Sequence, residues 1–337
     1  MSLALWHWHI EISSKCALKC PRCARSEVPE TLVNTELSLE FFKRNFTLEF
    51  ILSNVEKISF CGDDGDPIYA TSLIPIIKYI KSIKPVSIVI VTNGSYKPEA
   101  WWEELSTLLT VDDHVHFSLD GWDNTSNNQY RVNSDWDSIL LGVKILRKNQ
   151  DVFLSWDAIG FSFNEHKLAD MQHQARALGF DYFQLTKSTK FGGVYPSYLT
   201  NNSDILQPSA NLVRNKLRFT REITSLSGRI FNDRSKIAVN LYATAEEAST
   251  HITPICYTGG KGLYISSVGK LYPCCWVANR YNHNSEWQQL SIDLNRIGLY
   301  DAVRSEFWAS EFTSFKWAEC QAKCNKSVSS IEYCSKW

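Results

Sequence analysis

Three cysteines fall within eight residues, Cys16, Cys20 and Cys23, directly after a run from Leu3 to Ile12 that reads as a strand. Spaced Cys-x3-Cys-x2-Cys, their thiols can wrap one corner of an iron–sulfur cube, whose irons prefer thiolate ligands. A cube takes four ligands and this loop offers three; the next cysteine along the chain is Cys61. One iron would stay open to something exchangeable. Zinc is the rival reading, but structural zinc closes its tetrahedron with a paired Cys or His. The nearest histidines, His7 and His9, sit inside the strand-like run. A chance cluster of buried thiols is the third reading, since a free cysteine packs as a small hydrophobe.

The spacing, placed after a first strand, resembles that of the radical S-adenosylmethionine (radical SAM) superfamily. The resemblance implies a [4Fe–4S] cluster held by Cys16, Cys20 and Cys23, with SAM chelating the open iron through its amino and carboxylate groups. It also implies reductive cleavage of SAM to methionine and a 5′-deoxyadenosyl radical, which abstracts hydrogen from an unactivated carbon. Arg22 stands where the family usually has an aromatic residue. That departure touches the adenine edge, not the ligands.

Composition excludes several classes. A length of 337 residues supplies one large or two modest domains with ample core. A formal net charge of −1 leaves no global electrostatic footprint for nucleic acid. No apolar run reaches membrane-spanning length, and Met1–Ile10, with its His and Trp, does not read as a signal peptide. Ten cysteines without an export signal point to metal ligation in a reducing compartment, so a cytoplasmic location is expected.

Beyond the loop, strand-like and helix-like runs alternate. Helical spacing covers Leu39 to Val55, Ser72 to Lys84, Pro98 to Leu109, Trp136 to Lys148 and Glu165 to Leu178. Strands are expected at Glu56–Cys61, Val86–Val91, Val115–Leu119, Val152–Ile159 and Tyr182–Leu185. With the first run these make six β/α units of a parallel sheet, which the resemblance translates into an α/β fold, a partial (β/α)6 TIM-like barrel over 1–187. Residues 188–253 read as a loop and helical connection, with a helix expected at Leu212–Leu226 and a basic run from Arg214 to Lys236. A basic run is ordinarily a solvated face, with an acidic peptide or phosphate as the alternative.

In a parallel barrel the chemistry gathers at the carboxyl ends of strands. After the second strand, Gly65-Asp66-Pro67 resembles the family's Gly-Gly-Glu-Pro stretch, which contacts the amino group of SAM; Asp64 and Asp66 depart from it. The resemblance also implies cofactor roles for Asn93 after the third strand, Ser118 at the fourth and Asn164 after the fifth. Arg131 is the expected partner of the methionine carboxylate, because a guanidinium fork can hold a carboxylate by two bonds. Cys61 is either an ordinary buried thiol or a hydrogen-atom donor to a substrate radical. His7, His9, His114 and His116 read as packed or surface histidines.

Over 254–337 a second cysteine group appears: Cys256, Cys274 with Cys275, Cys320, Cys324 and Cys334. Cys256 and Cys274 bracket a β-hairpin turning at Val268-Gly269. The set resembles a SPASM/Twitch extension, a small α+β domain with an auxiliary [4Fe–4S] cluster. That implies Cys256, Cys274 and Cys320 as ligands, with Cys324 or Cys334 as the fourth. A zinc knuckle is the alternative. A radical SAM oxidoreductase acting on a peptide is expected, fed by a one-electron donor such as flavodoxin or ferredoxin. The alternatives are dehydrogenation or epimerisation of an amino sugar or other small polar molecule, and a non-catalytic iron–sulfur or zinc protein.

Overall fold

The computed structural model describes residues 7–149, 151–187, 206, 215–218, 263–278 and 291–306. Strands β1 (His7–Ile10), β2 (Lys57–Phe60), β3 (Ser87–Thr92), β4 (His114–Ser118), β5 (Phe153–Gly160) and β6 (Tyr182–Lys187) pair in parallel, each with the next. Parallel neighbours need a crossover. Here the crossovers carry α1 (Ala24–Glu27), α2 (Leu39–Asn45), α3 (Leu48–Asn54), α4 (Leu73–Ile83), α5 (Glu99–Leu108), α6 (Asn124–Asn127), α7 (Trp136–Lys148) and α8 (Leu168–Ala177). This is an α/β fold on a parallel sheet, consistent with a partial barrel.

Residues two apart in a strand share a face. On one face stand Trp8 and Ile10, Ile58 and Phe60, Ile88 and Ile90, Val115 and Phe117, Leu154 and Trp156. All are buried in a single core with Phe46, Ile77, Trp102, Ile139 and Met171 of the crossover segments. The opposite face carries His7 and His9, Ser59, His116 and Ser118, Ser155 and Asp157, and Gln184. One face is thus an apolar bed for the helices, and the other a wall that is polar apart from Val89 and Val91 of β3 and Phe153 and Ile159 of β5.

The sheet extends at both ends. Strand β7 (Asn215–Arg218) runs antiparallel to β6, while β8 (Leu263–Ile265) runs parallel to β1. Then β9 (Lys270–Tyr272) and β10 (Ile292–Asp293) follow antiparallel, making ten strands among the described residues. Gly269 turns the β8–β9 hairpin at φ +79°, with Asn295 Nδ2 only 2.7 Å from where a Cβ would stand. The hairpin expected around Val268-Gly269 is therefore present, and it continues the main sheet.

Two expectations are corrected. Asn215–Arg218, inside the stretch expected as helix, is a strand, because the edge of β6 offers backbone partners that outweigh local periodicity. Leu39 to Val55 is two helices, since Thr47 caps a new start, its hydroxyl accepting from Phe50 N at 3.2 Å. Phe46, which ends the first helix, and Phe50 of the second both pack against Trp8.

Candidate functional site

The cysteine loop leaves β1 and closes on itself where Cys23 N donates to Cys20 O at 3.1 Å. It faces a turn, Gly62 to Asp66, that follows β2. The two backbones touch: a Cβ on Gly65 would stand 2.0 Å from Ser13 O, so only glycine fits. Asp66 N donates to Lys15 O at 2.9 Å and ties the turn to the loop.

Glu11 holds this turn from below. Its Oε1 accepts from Asp64 N at 2.6 Å and Gly65 N at 3.2 Å, and its Oε2 accepts from the Tyr264 hydroxyl of β8 at 2.8 Å. Burial, reinforced by the nearby Asp64 and Asp63 carboxylates, pushes the Glu11 carboxyl up to about 8.

The Asp66 carboxylate accepts from Ile68 N, Thr92 Oγ1, Asn93 N and Asn93 Nδ2, at 3.2, 2.8, 2.6 and 2.6 Å. It thereby locks the end of β2 to the end of β3. Burial raises its carboxyl to about 6 in spite of those donors. The Asn93 amide, so held, also points a donor at Cys16 Sγ, 3.7 Å away.

Across the cavity, Arg131 Nε donates to Asp120 Oδ2 at 2.6 Å, and Asp120 Oδ1 accepts from Ile159 N at 2.6 Å. Burial opposes the charge on Arg131, but Asp120 and Cys20 outweigh it and hold the guanidinium firmly protonated. The ring of Tyr130 lies 5.3 Å beneath the guanidinium.

These pieces enclose a cavity of about 290 Å³. Cys16, Cys20, Cys23, Cys61, Gly65, Asp66, Asn93, Ser118 and Arg131 all line it. Burial pushes the Cys16 thiol up to about 12 and the Cys20 thiol to about 11. Thiols so desolvated give up a proton only to something that replaces its charge, as a bound metal does. Three of them lining one cavity, with an amide N–H aimed at one sulfur, are the donor set that an iron–sulfur cluster takes.

Pro67 and Asn164 are not in the lining. Pro67 opens a short 3-10 turn, and Asn164 is fully buried, with its amide donating to Asp120 O and Ile159 O and accepting from Phe161 N. Arg22, in the place of the usual aromatic, is buried at 1% exposure. Cys274 packs beside Tyr264, Tyr272 and Val277. Cys256, Cys320, Cys324 and Cys334 lie outside the described residues. Two residues were missed by sequence reasoning. Cys275, set aside there, lines the cavity at the start of α9 (Cys275–Ala278). Glu11 carried a readable signal, the one acid in the run from Leu3 to Ile12.

Three cysteines thus line a cavity at the carboxyl edge of a parallel α/β sheet consistent with a partial barrel. Residues 10–166 match the family model of the Radical SAM superfamily, and a domain of that kind carries the expectation of a [4Fe–4S] cluster and SAM. No curated protein matches the chain. Among solved structures, SuiB of Streptococcus suis bound to S-adenosylmethionine is similar at 14% identity and TM-score 0.60, covering 96% of this chain and 71% of that one. A histidine-tagged anSMEcpe with bound AdoMet is similar at 14% identity and TM-score 0.54, covering 95% and 84%. BtrN in complex with AdoMet and 2-DOIA follows at 12% identity and TM-score 0.50, covering 97% and 94%. At these identities the likeness is one of fold. Among the described residues no helix is long and apolar enough to cross a membrane.

Proposed function

We propose that the cavity is the reaction chamber of a radical SAM oxidoreductase, in which Cys16, Cys20 and Cys23 hold the cluster and leave one iron for SAM. The observation that carries this reading is the shared cavity: three thiols, the Gly65 backbone, Asn93, Ser118 and Arg131 surround one space. When bound, the cluster and SAM supply a reducing electron and a hydrogen-atom acceptor. The chain's part is to bind, orient and exclude water.

In this reading the turn at Gly65 receives the ammonium of SAM, with Asp66 keeping the turn against β3. Arg131, oriented by Asp120, pairs with the carboxylate, and Ser118 contributes a hydroxyl. Asn164 acts through Asp120 and Ile159, whose carbonyls it holds, and Pro67 fixes the exit of the turn. Cys61 is the candidate hydrogen-atom donor, buried in the same wall. We further propose the division 1–187, 188–253 and 254–337. The last part carries an auxiliary [4Fe–4S] cluster on Cys256, Cys274, Cys320 and either Cys324 or Cys334.

A peptide substrate is the favoured class, supported by similar folds solved with peptides: SuiB bound to precursor peptide SuiA, and anSMEcpe with the Cp18Cys peptide. The BtrN complex with 2-DOIA supports a small polar substrate as the second reading. Flavodoxin or ferredoxin is the proposed electron source, and the cytoplasm the proposed compartment. Anaerobic reconstitution tests the proposal. About eight irons and sulfides per chain are expected, falling by about half in a Cys16/Cys20/Cys23→Ala variant, together with reductant-dependent 5′-deoxyadenosine. Stoichiometric zinc without sulfide, or no SAM cleavage by a loaded enzyme, refutes it.

A further inference from the structure

The polar wall of the sheet holds a group that the proposed SAM site does not use. His116 of β4 is 1% exposed, and its Nδ1 lies 3.1 Å from Asp157 Oδ2 on β5. The other Asp157 oxygen accepts from Ser155 Oγ at 2.7 Å and from Gln184 Nε2 at 2.9 Å. Gln184 Nε2 also lies 3.5 Å from His116 Nδ1, too long to compete with the carboxylate. Nδ1 therefore carries the hydrogen, and Nε2 is left as a bare acceptor. The His114 ring stacks alongside at 6.0 Å, itself stacked on Phe153 at 4.8 Å.

His116 Nε2 is buried and has no hydrogen-bond partner among the described residues. A buried acceptor left unsatisfied opposes folding, so its presence asks for a ligand. Its place in the sheet says which. Ser118 lines the cavity, shares the face of His116, and is the register partner of Asp157. Two strand residues span about 7 Å, so His116 stands one pleat along β4 from the cavity-lining Ser118.

We propose that His116 and Asp157 form a substrate-side acid–base pair, in which Nε2 accepts a hydrogen bond and then a proton from a hydroxyl or amine of the substrate. The proposal rests on the reading of the cavity as the SAM site. In the step, the substrate O–H or N–H bond breaks with its electron pair kept on oxygen or nitrogen, and an N–H bond forms on His116. No electron changes hands. The resulting imidazolium faces the Asp157 carboxylate, whose other oxygen is fixed by Ser155 and Gln184. A carbon radical formed next to such an oxygen or nitrogen is more easily oxidised once that proton has gone, which gives the base its purpose beside a hydrogen-abstracting centre.

A base that serves substrate must be reachable from the cavity, and a sealed core histidine is not. Reconstituted holoenzyme is treated anaerobically with diethyl pyrocarbonate, which acylates bare imidazole nitrogen, and the modified histidines are located by peptide mass spectrometry. We expect His116 to react in the folded enzyme within about tenfold of the rate of exposed His173, and Asp157→Asn to slow it at least about fivefold by removing the carboxylate behind the ring. His116 untouched while exposed His166 and His173 react fully overturns the proposal, as does an unchanged rate in folded Asp157→Asn protein. If that variant does not fold, the parental rates decide alone. SAM cleavage by unmodified parent is measured in parallel, and its absence strikes the SAM reading without altering the meaning of the modification pattern.

Discussion

Glu11 is where fold and site meet, and its two substitutions separate charge from scaffolding. Folding raises its carboxyl from an ordinary 4.5 to about 8, chiefly through burial. Between those values the native state keeps a proton that the unfolded chain has released, so stability is full below about pH 4.5 and falls as pH rises through 8. The gap between the two values caps that loss at roughly 5 kcal/mol. Glu11→Gln removes the titration yet keeps the bonds: its carbonyl oxygen takes the Oε1 place, and its amide can donate to the Tyr264 hydroxyl. Glu11→Ala instead strands the buried Tyr264 hydroxyl, at about 1–3 kcal/mol, and leaves the part-buried Asp64 N and Gly65 N to water at a smaller cost. Urea unfolding followed by circular dichroism at pH 5, 7 and 9 reads both. The Gln variant should match the parent at pH 5 and exceed it at pH 9, while the Ala variant should fall below both at pH 5. It should also bind SAM at least about tenfold more weakly, because the turn loses its floor. Parent and Gln curves that run parallel from pH 5 to 9 would refute the reasoning about charge; full SAM affinity in the Ala variant would refute the reasoning about the turn.

Three further outcomes are expected. Arg131→Ala strands Asp120, whose side chain is fully buried, and should cost roughly 3–5 kcal/mol in urea unfolding; an unchanged midpoint shows that the pair is not a strut. Gly65→Ala drives a methyl into Ser13 O and should abolish SAM binding measured by equilibrium dialysis while leaving far-UV circular dichroism intact; retained binding removes the turn from the site. Cys274→Ala, if folded, should still release 5′-deoxyadenosine while losing about half its iron, and full iron retention would free Cys274 from any ligand role.

What was legible in the sequence follows from period and spacing. All six parallel strands were found, because His7-Trp8-His9-Ile10, Lys57-Ile58-Ser59-Phe60 and His114-Val115-His116-Phe117 alternate at period two. Trp136–Lys148 came out with its observed bounds, since Asp135 caps it and its apolar residues recur at helical spacing. The stretch at 215–218 was misread because an edge strand is decided by its neighbour, here β6, and a local window cannot see it. Cys275 escaped for a related reason: only the pairing of β8 with β1 carries the following helix to the cavity. The ends of β2, β3 and β4 were picked by position in the barrel, and Gly65, Asp66, Asn93 and Ser118 do share a lining. Asn164 was picked by the same rule, yet its amide is spent inside the wall, a distinction only coordinates can make.

The histidines show how a correct element assignment can hide a chemical message. Closed parallel barrels fill their interior with layers of branched apolar side chains. Here the inner pleats of β1, β2, β4, β5 and β6 hold His9, Ser59, His116, Asp157 and Gln184, all buried. Polar groups taken from water must find partners or the fold pays for them. Most do: His7 Nε2 sits 3.0 Å from Ser59 Oγ, His9 Nε2 sits 3.1 Å from Cys61 O, and Asp157 is ringed by Ser155, Gln184 and His116. The alternation that marks these segments as strands also sets histidine, serine, acid and amide on one face, with the thiol-lined cavity at its carboxyl end. Secondary-structure reading uses only the period of that alternation. Its chemistry, histidine and acid on β4 and β5 beside Val89 and Val91 of β3, shows only once the strands are laid side by side.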